Sequence, residues 1–326
     1  MSGKSEENTM NVFIAGGTGV LGRRVVRRLV KQGHQVACLS RSAVNRATIS
    51  DLGAEPRDGD LFSERDMRTL TADCEAVLHL ATAIPTNFPS RLADWKLNTR
   101  IRTEGTKSLI GAVLANQCPL YLAQSITYVY GDQGGAWIDE KTPRATGLGG
   151  VVRSACQLED LVEDARRCSR LPAITLRFGI FYGEDAAHTQ SMLELIKRGR
   201  FPILGDGETW WNLIQLDDAA RAVVATLDNY ERNLGETFNI VDGTPVPLRE
   251  LVAGLAELLE ARKPWHVPLW LARMRLGQAL VEPLLLSARC ANDKARQRLH
   301  WAPRYPDFRY GFQSILNAGR PQLAAV

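Results

Sequence analysis

One short segment constrains this chain more than any other: Val12-Phe-Ile-Ala-Gly16-Gly17-Thr18-Gly19-Val20-Leu21-Gly22. An apolar, β-prone run enters a turn crowded with glycines, and a helical pattern follows. Glycine permits backbone angles and close approaches that a Cβ forbids. A helix that starts there points its free amides and its positive end at the turn, an arrangement suited to a pyrophosphate. Gly17, Gly19 and Gly22 fit G-x-G-x-x-G, and Gly16, Gly19 and Gly22 fit the looser G-x-x-G-x-x-G. The pattern alone is weak, but between a strand and a helix it predicts a dinucleotide site made by Gly16, Gly17, Thr18, Gly19, Val20, Leu21 and Gly22. The competing reading is a tight turn with no ligand.

The rest of the chain repeats this rhythm. Asn11–Ala15, Gln35–Leu39, Ala76–Leu80, Leu120–Ala123, Ile174–Phe178 and Thr237–Val241 read as strands. Their apolar runs are continuous, as in strands covered on both faces of a parallel sheet. Leu21–Lys31, Arg100–Ala115 and Ser154–Arg167 read as amphipathic helices between them. The alternation predicts an α/β fold: a doubly wound parallel sheet, with a smaller, mostly helical C-terminal lobe.

After Tyr182 the rhythm breaks, with helices expected over Ser191–Arg200 and Asp217–Leu227. The expected division is residues 10–182 plus 211–243 as a nucleotide-binding domain, and 183–210 plus 244–326 as a substrate lobe. Trp265–Leu286 is apolar but interrupted by Arg273, Arg275 and Glu282. It reads as a packed lobe helix, or alternatively as a hydrophobic lid or an oligomer contact. A homo-oligomer therefore stays open.

Composition removes several classes. Forty basic against 36 acidic residues leave a net charge of +4, too little to predict a nucleic-acid surface. The six cysteines, 38, 74, 118, 156, 168 and 290, lack paired-ligand spacing, so no metal site is expected. They read as reduced thiols of a cytoplasmic protein. Met1–Met10 is polar, with no signal-peptide core, and no apolar run is long enough to span a membrane.

The end of the second strand indicates which cofactor is favoured. An NAD-preferring site usually offers an acid there to the ribose hydroxyls. This chain has Ser40-Arg41-Ser42, and no acid between Gly22 and Asp51. A guanidinium with two neighbouring hydroxyls suits a 2′-phosphate, which favours NADP(H) over NAD(H). The alternative is a solvated loop arginine. The basic run Arg23, Arg24, Arg27, Arg28 and Lys31 reads mainly as a solvated helix face, with Arg23 close enough to reach phosphate.

Together with later blocks, these residues resemble the extended short-chain dehydrogenase/reductase superfamily, in its branch of NAD(P)-dependent epimerases and dehydratases. Asp60-Leu61 resembles the pair that faces adenine, and His79-Leu80-Ala81-Thr82 resembles the turn beside the cofactor. Val129-Tyr130-Gly131, Leu176–Gly179 with Tyr182-Gly183, Gly205–Gly207 through Asp217-Asp218, and Lys294–Pro306 follow in the family's order. The resemblance implies the fold and nucleotide binding, with Asp60, Leu61, Leu80, Ala81 and Thr82 lining the cofactor.

It does not bring the family's chemistry with it. The family uses a tyrosine and a lysine four residues later on one helix, where the ammonium lowers the phenol pKa. None of the seven tyrosines here has lysine four positions on. Aligning by Ser154 and Glu159 puts Val151 and Ala155 where the pair belongs. The helper serine falls on Ile126, beside Ser125. Trp211, next to Trp210, stands where nucleotide-sugar enzymes carry a diphosphate-binding arginine, so a fairly apolar or aromatic ligand is expected instead.

Tyr128, Ser125 and Tyr182 remain as candidate catalytic groups, and Tyr128, Tyr130, Tyr182, Trp210 and Trp211 as candidate pocket residues. His79 reads as a backbone-bonded residue beside the cofactor rather than a catalytic one, and His188 as a weaker acid–base candidate. Three functions compete: an NADP(H)-dependent oxidoreductase of a small apolar carbonyl or enone, a non-catalytic NADP(H) sensor, and an epimerase or dehydratase.

Overall fold

The computed structural model describes residues 9–85 and 91–318; most of Met1–Met10 therefore lies outside the described residues. Strand β1 (Asn11–Ala15) is an interior strand of a seven-stranded sheet, third from one edge. Helix α1 (Val20–Lys31) returns to β2 (Gln35–Ser40), and α2 (Ala43–Asp51) leads to the edge strand β3 (Glu55–Asp58). The chain then crosses by α3 (Glu64–Leu70) to β4 (Ala76–His79) on the other side of β1. Beyond β4 stand β5 (Leu120–Ile126), Ala173–Phe178 and Thr237–Ile240, and every pairing is parallel. The reversal of direction at β1 opens a crevice at the carboxyl ends of β1 and β4, where this architecture takes ligands.

The continuous apolar runs have the expected cause. In β1, Val12 and Ile14 enter one core while Phe13 and Ala15 enter the other, so the strand is covered on both faces. The edge strand β3, Glu-Pro-Arg-Asp, was not among the expected strands; its polar residues suit a sheet edge.

The helix expected over Arg100–Ala115 is longer and irregular. It starts as α4 (Lys96–Arg100), widens into a π turn over Ile101–Gly105, and continues as α5 (Thr106–Ala115). Helix α6 (Arg153–Ser169) packs beside that turn.

Among the later elements, α7 (Ala187–Lys197), α9 (Leu248–Leu258) and the helix Phe308–Ala318 share a core containing Tyr182, Leu193, Leu251, Leu255, Phe308 and Phe312. Helix α8 (Leu216–Asp228) returns to the main sheet and packs on α1. Trp265–Leu286 is not one helix. Pro268 and Gly277 divide it into a strand at Trp265–Val267, a helix at Leu269–Leu276 and shorter turns, and Trp270 and Met274 are exposed.

The basic face of α1 is not simply solvated. Arg24 is buried and pairs with Asp185 at 2.8 Å, Asp217 at 3.3 Å and Glu184 at 3.6 Å. Arg23 donates to Asp185 at 2.8 Å, and Arg28 lies 3.4 Å from Asp217. The Arg23 guanidinium is thus occupied by a carboxylate rather than held free for phosphate.

Candidate active site

Gly16 has φ +103°, and a Cβ there would lie 2.6 Å from the backbone of Leu80 and Ala81. A Cβ on Gly17 would lie 2.5 Å from Cys38 Sγ. The glycines therefore let β1, β2 and the turn after β4 close on one another. Gly19 N donates to Gly16 O at 3.0 Å, and Gly19 itself is the extended N-cap of α1, with no side-chain cap. The first-turn amides of α1 are thus left for a ligand. Gly19 is exposed and Thr18 and Val20 half-buried, while Leu21 and Gly22 pack inward. A cradle this narrow fits a dinucleotide pyrophosphate, and no first-turn acid opposes it.

At the end of β2, the two serines are already engaged. Ser40 is buried and its hydroxyl donates to Ser42 O, while Ser42 Oγ accepts from Asn45 N as the cap of α2. Arg41 is exposed and has no protein partner among the described residues. The neighbouring carboxylate, Asp58, is paired with Arg46. Asp60 Oδ1 accepts from Phe62 N, and Leu61 packs against Gly105. After β4, Leu80 is buried, Ala81 half-buried and Thr82 exposed.

The relay positions are aliphatic in space as well as in sequence. Ala155 is fully buried, and Val151 lies just ahead of the first turn of α6. Among the described residues no hydrogen bond joins a lysine ammonium to a phenol; the Lys294 ammonium is held by Thr237 O and Glu236, both at 2.8 Å.

The candidate catalytic and pocket residues separate. Ser125 donates to the buried Glu159 carboxylate, which also receives Arg177 Nη2 at 2.6 Å and Nε at 3.0 Å. Tyr130 is buried in the core and donates to Asn239 Oδ1 at 2.8 Å. Tyr182 stacks on Phe312 at 4.6 Å within the C-terminal core, so its ring does not reach the crevice. Trp211 packs on that core, and Trp210 flanks the Arg289 guanidinium opposite Trp137, at 4.6 and 4.4 Å. His188 is exposed, its ring nitrogen on Phe181 O. Of the set, Tyr128 keeps a half-buried place at the end of β5. Burial pushes its phenol above the usual range, so it stays protonated at neutral pH and is a weaker acid than a free tyrosine.

A hollow of about 350 Å³ opens beside the first turn of α6. Leu148, Val152, Pro283 and Leu286 give it an apolar wall, with Gln278 and Glu282 as its polar members. None of the five aromatic residues expected in the pocket lines it. A larger hollow, about 490 Å³, lies by Asp242 and Pro303, four strands from the glycine turn.

Sequence reasoning passed over Asn98 and Arg102. Both are buried, Arg102 near enough to His79 at the end of β4 for its charge to act on the ring and Asn98 accepting from Ala83 N at 3.0 Å, and neither belongs to a motif that flags it. Neither ring nitrogen of His79 makes the expected backbone hydrogen bond among the described residues; burial pulls the imidazole down to about 4, and the Arg102 charge acts in the same direction. Among the described residues no cluster of metal-ligating side chains occurs and no helix is long and apolar enough to cross a membrane.

Comparison with known proteins agrees with this geometry. A 3-diazoavenalumate denitrifying reductase from a Streptomyces species is 29% identical over 314 residues, spanning 93% of this chain and 99% of the relative. The 2-alkyl-3-oxoalkanoate reductase of Stenotrophomonas maltophilia is 23% identical over 339 residues, spanning 97% and 99%. In fold, the chain is similar to UDP-glucose 4-epimerase from Thermotoga maritima, with a TM-score of 0.76 at 20% identity over 94% of this chain and 98% of that one. The profile of the NAD dependent epimerase/dehydratase family matches residues 12–241, most of the chain. With its glycine cradle and parallel sheet, the chain belongs to that family of nicotinamide-nucleotide-dependent oxidoreductases and epimerases.

Proposed function

We propose that the chain is an NADP(H)-preferring reductase of a small, largely apolar molecule that carries a carbonyl or a conjugated double bond. The observation that carries this reading is that the relay positions, Val151 and Ala155, are aliphatic while an apolar hollow opens by Val152 at the start of the same helix. Epimerase and dehydratase chemistry needs a base at those positions, whereas hydride addition needs only a proton donor at the end. Two relatives that match nearly the whole chain are named as reductases. The nicotinamide, when bound, supplies the hydride. Tyr128, at the end of β5 although outside the lining of that hollow, is the assigned donor of the proton to the reduced substrate. Ser125 is held by Glu159 and Tyr182 by the C-terminal core, so neither is assigned a step. Arg41, exposed and free of carboxylates, binds the 2′-phosphate.

A second reading is a protein that binds NADP(H) without turnover, and the aliphatic relay positions favour it. Fluorescence titration with NADPH and NADH, then NADPH oxidation over aldehydes, quinones and enones, decides between the two. Tighter NADPH binding with turnover of at least one class supports the reductase. Tight binding with silence across the whole panel supports the sensor. Tighter NADH binding removes the assignment of Arg41.

A further inference from the structure

The apolar stretch after α9 builds a helix that is covered on one side only. In α10 (Leu269–Leu276), Ala272 is buried, and Leu271 and Leu276 pack with Val267 and Val281 in a small core of their own. Trp270 and Met274, one turn apart, face outward and are each 66% exposed. Trp265, on the strand that leads into the helix, is 51% exposed. Large apolar side chains grouped in this way on a surface mark a contact with something other than water.

The charges around them are mostly of one sign. Residues 260–277 carry Arg262, Lys263, Arg273 and Arg275 against Glu260. Arg273, on the same helix face as Trp270 and Met274, is paired with Glu282 at 3.0 Å. Arg262, Lys263 and Arg275 are exposed and have no side-chain partner among the described residues. Arg262 lies against Gly199, which brings the exposed Arg200 to this side, while Asp206 adds an acid on the loop that His266 touches through Gly205 O. Tryptophan and methionine set among unpaired cations suit the headgroup region of an anionic bilayer. A second copy of the chain fits less well, because a two-fold contact places the patch against itself and brings cation to cation.

We propose that α10 and the strand before it dock on an anionic phospholipid surface, lying on the membrane rather than crossing it. The hollow beside α6 continues from this face. Glu282, which Arg273 holds, lines the hollow, and so does Gln278, directly after the helix ends at Gly277. Docking therefore brings the Gln278 and Glu282 side of the hollow to the lipid boundary, and the substrate class becomes an apolar molecule dissolved in the bilayer. That consequence rests on the hollow being the substrate site, as proposed above; the docking does not.

The test is co-sedimentation of the full chain with sucrose-loaded vesicles of phosphatidylcholine alone and of phosphatidylcholine mixed equally with phosphatidylglycerol. Wild type partitions onto the anionic vesicles about tenfold or more strongly than onto the neutral ones, and salt at about 0.5 M removes most of the difference. Trp270→Gln combined with Met274→Gln lowers partitioning onto the anionic vesicles by about tenfold or more. Lys263→Gln combined with Arg275→Gln lowers it by about fivefold for each charge and leaves the neutral vesicles unaffected. All four side chains are exposed, so unfolding temperature and NADPH affinity stay at wild-type values in both double variants. No binding to either vesicle, equal binding to both, or binding that survives loss of Trp270 and Met274 overturns the proposal. A wild-type dimer in sedimentation velocity that becomes a monomer in the same double variant assigns the face to a second copy and overturns it as well. A silent substrate panel with vesicle binding intact removes the reductase reading and retains the docking.

Discussion

Gly22 lies so close to Gly16 that a Cβ on Gly22 would stand 2.0 Å from the Gly16 carbonyl oxygen. The contact is with backbone, which cannot rotate aside as a side chain can. Gly22→Ala therefore forces α1 away from β1 and opens the cradle. The expected result is a stability loss of about 1–3 kcal/mol and an NADPH affinity weaker by tenfold or more. Thermal unfolding and a fluorescence titration read the two effects. Unchanged affinity would show that the turn does not hold the cofactor.

Arg41 stands at the end of β2 with the nearby Asp58 already paired to Arg46. Arg41→Gln should weaken NADPH binding by about tenfold, roughly one charge-assisted contact, and leave NADH nearly unaffected. The ratio of the two dissociation constants is the measurement. Equal losses for both cofactors would indicate a contact with the shared diphosphate instead.

Tyr128→Phe removes the proposed proton donor while keeping the ring in place. With a substrate found by the panel, kcat should fall by about 10²-fold, with KM little changed. Retention of full kcat would shift proton delivery to water or to another group.

Ser125 and Glu159 form a buried structural pair on the strand and helix that flank the crevice. Ser125→Ala should lower stability by about 1 kcal/mol, the scale of one hydrogen bond, with kcat kept within a fewfold. Glu159→Gln leaves Arg177 buried without its charge partner and should lower stability by about 3–5 kcal/mol. Denaturant midpoints rank the two variants. The reverse order would mean that the Arg177 pair contributes little.

His79 also gives the fold a pH dependence of known sign. Its folded pKa of about 4 lies below the ordinary histidine value of about 6.5, because burial disfavours the charged ring. The unfolded chain therefore takes up a proton first as pH falls. The stabilisation is complete above the unfolded value and is lost as pH drops from there towards about 4. Urea midpoints at about pH 7 and about pH 5 should differ more in wild type than in His79→Gln. Equal differences would show that the ring is hydrated in the folded state.

The parts of this molecule that are legible in sequence are those fixed by local chemistry. The Val12–Gly22 segment is one, because strand, glycines and helix occur in one unbroken stretch. The double-faced strands are another, since both of their surfaces are apolar. Strand β3 escapes such a reading because Glu55–Asp58 is held by pairing with β2 rather than by its own composition. Tyr130 and Tyr182 look like pocket residues until their burial is seen: Asn239 and Phe312, which engage them, are 109 and 130 residues away in sequence. Arg24 looks like a surface cation for the same reason, as its acidic partners arrive from residues 184–217. Arg102 belongs to no motif; what marks it is its burial, and that is visible only in three dimensions.

The π turn at Ile101–Gly105 has an evolutionary consequence. A regular helix advances about 100° per residue, so deleting one residue from this turn restores ordinary winding and swings the side chains ahead of it by roughly that angle relative to α5. Asn98 would then turn away from Ala83 N, whose hydrogen bond it accepts. A change of a single codon is thus enough to release the chain after β4 from this helix, leaving the glycine cradle and the sheet untouched.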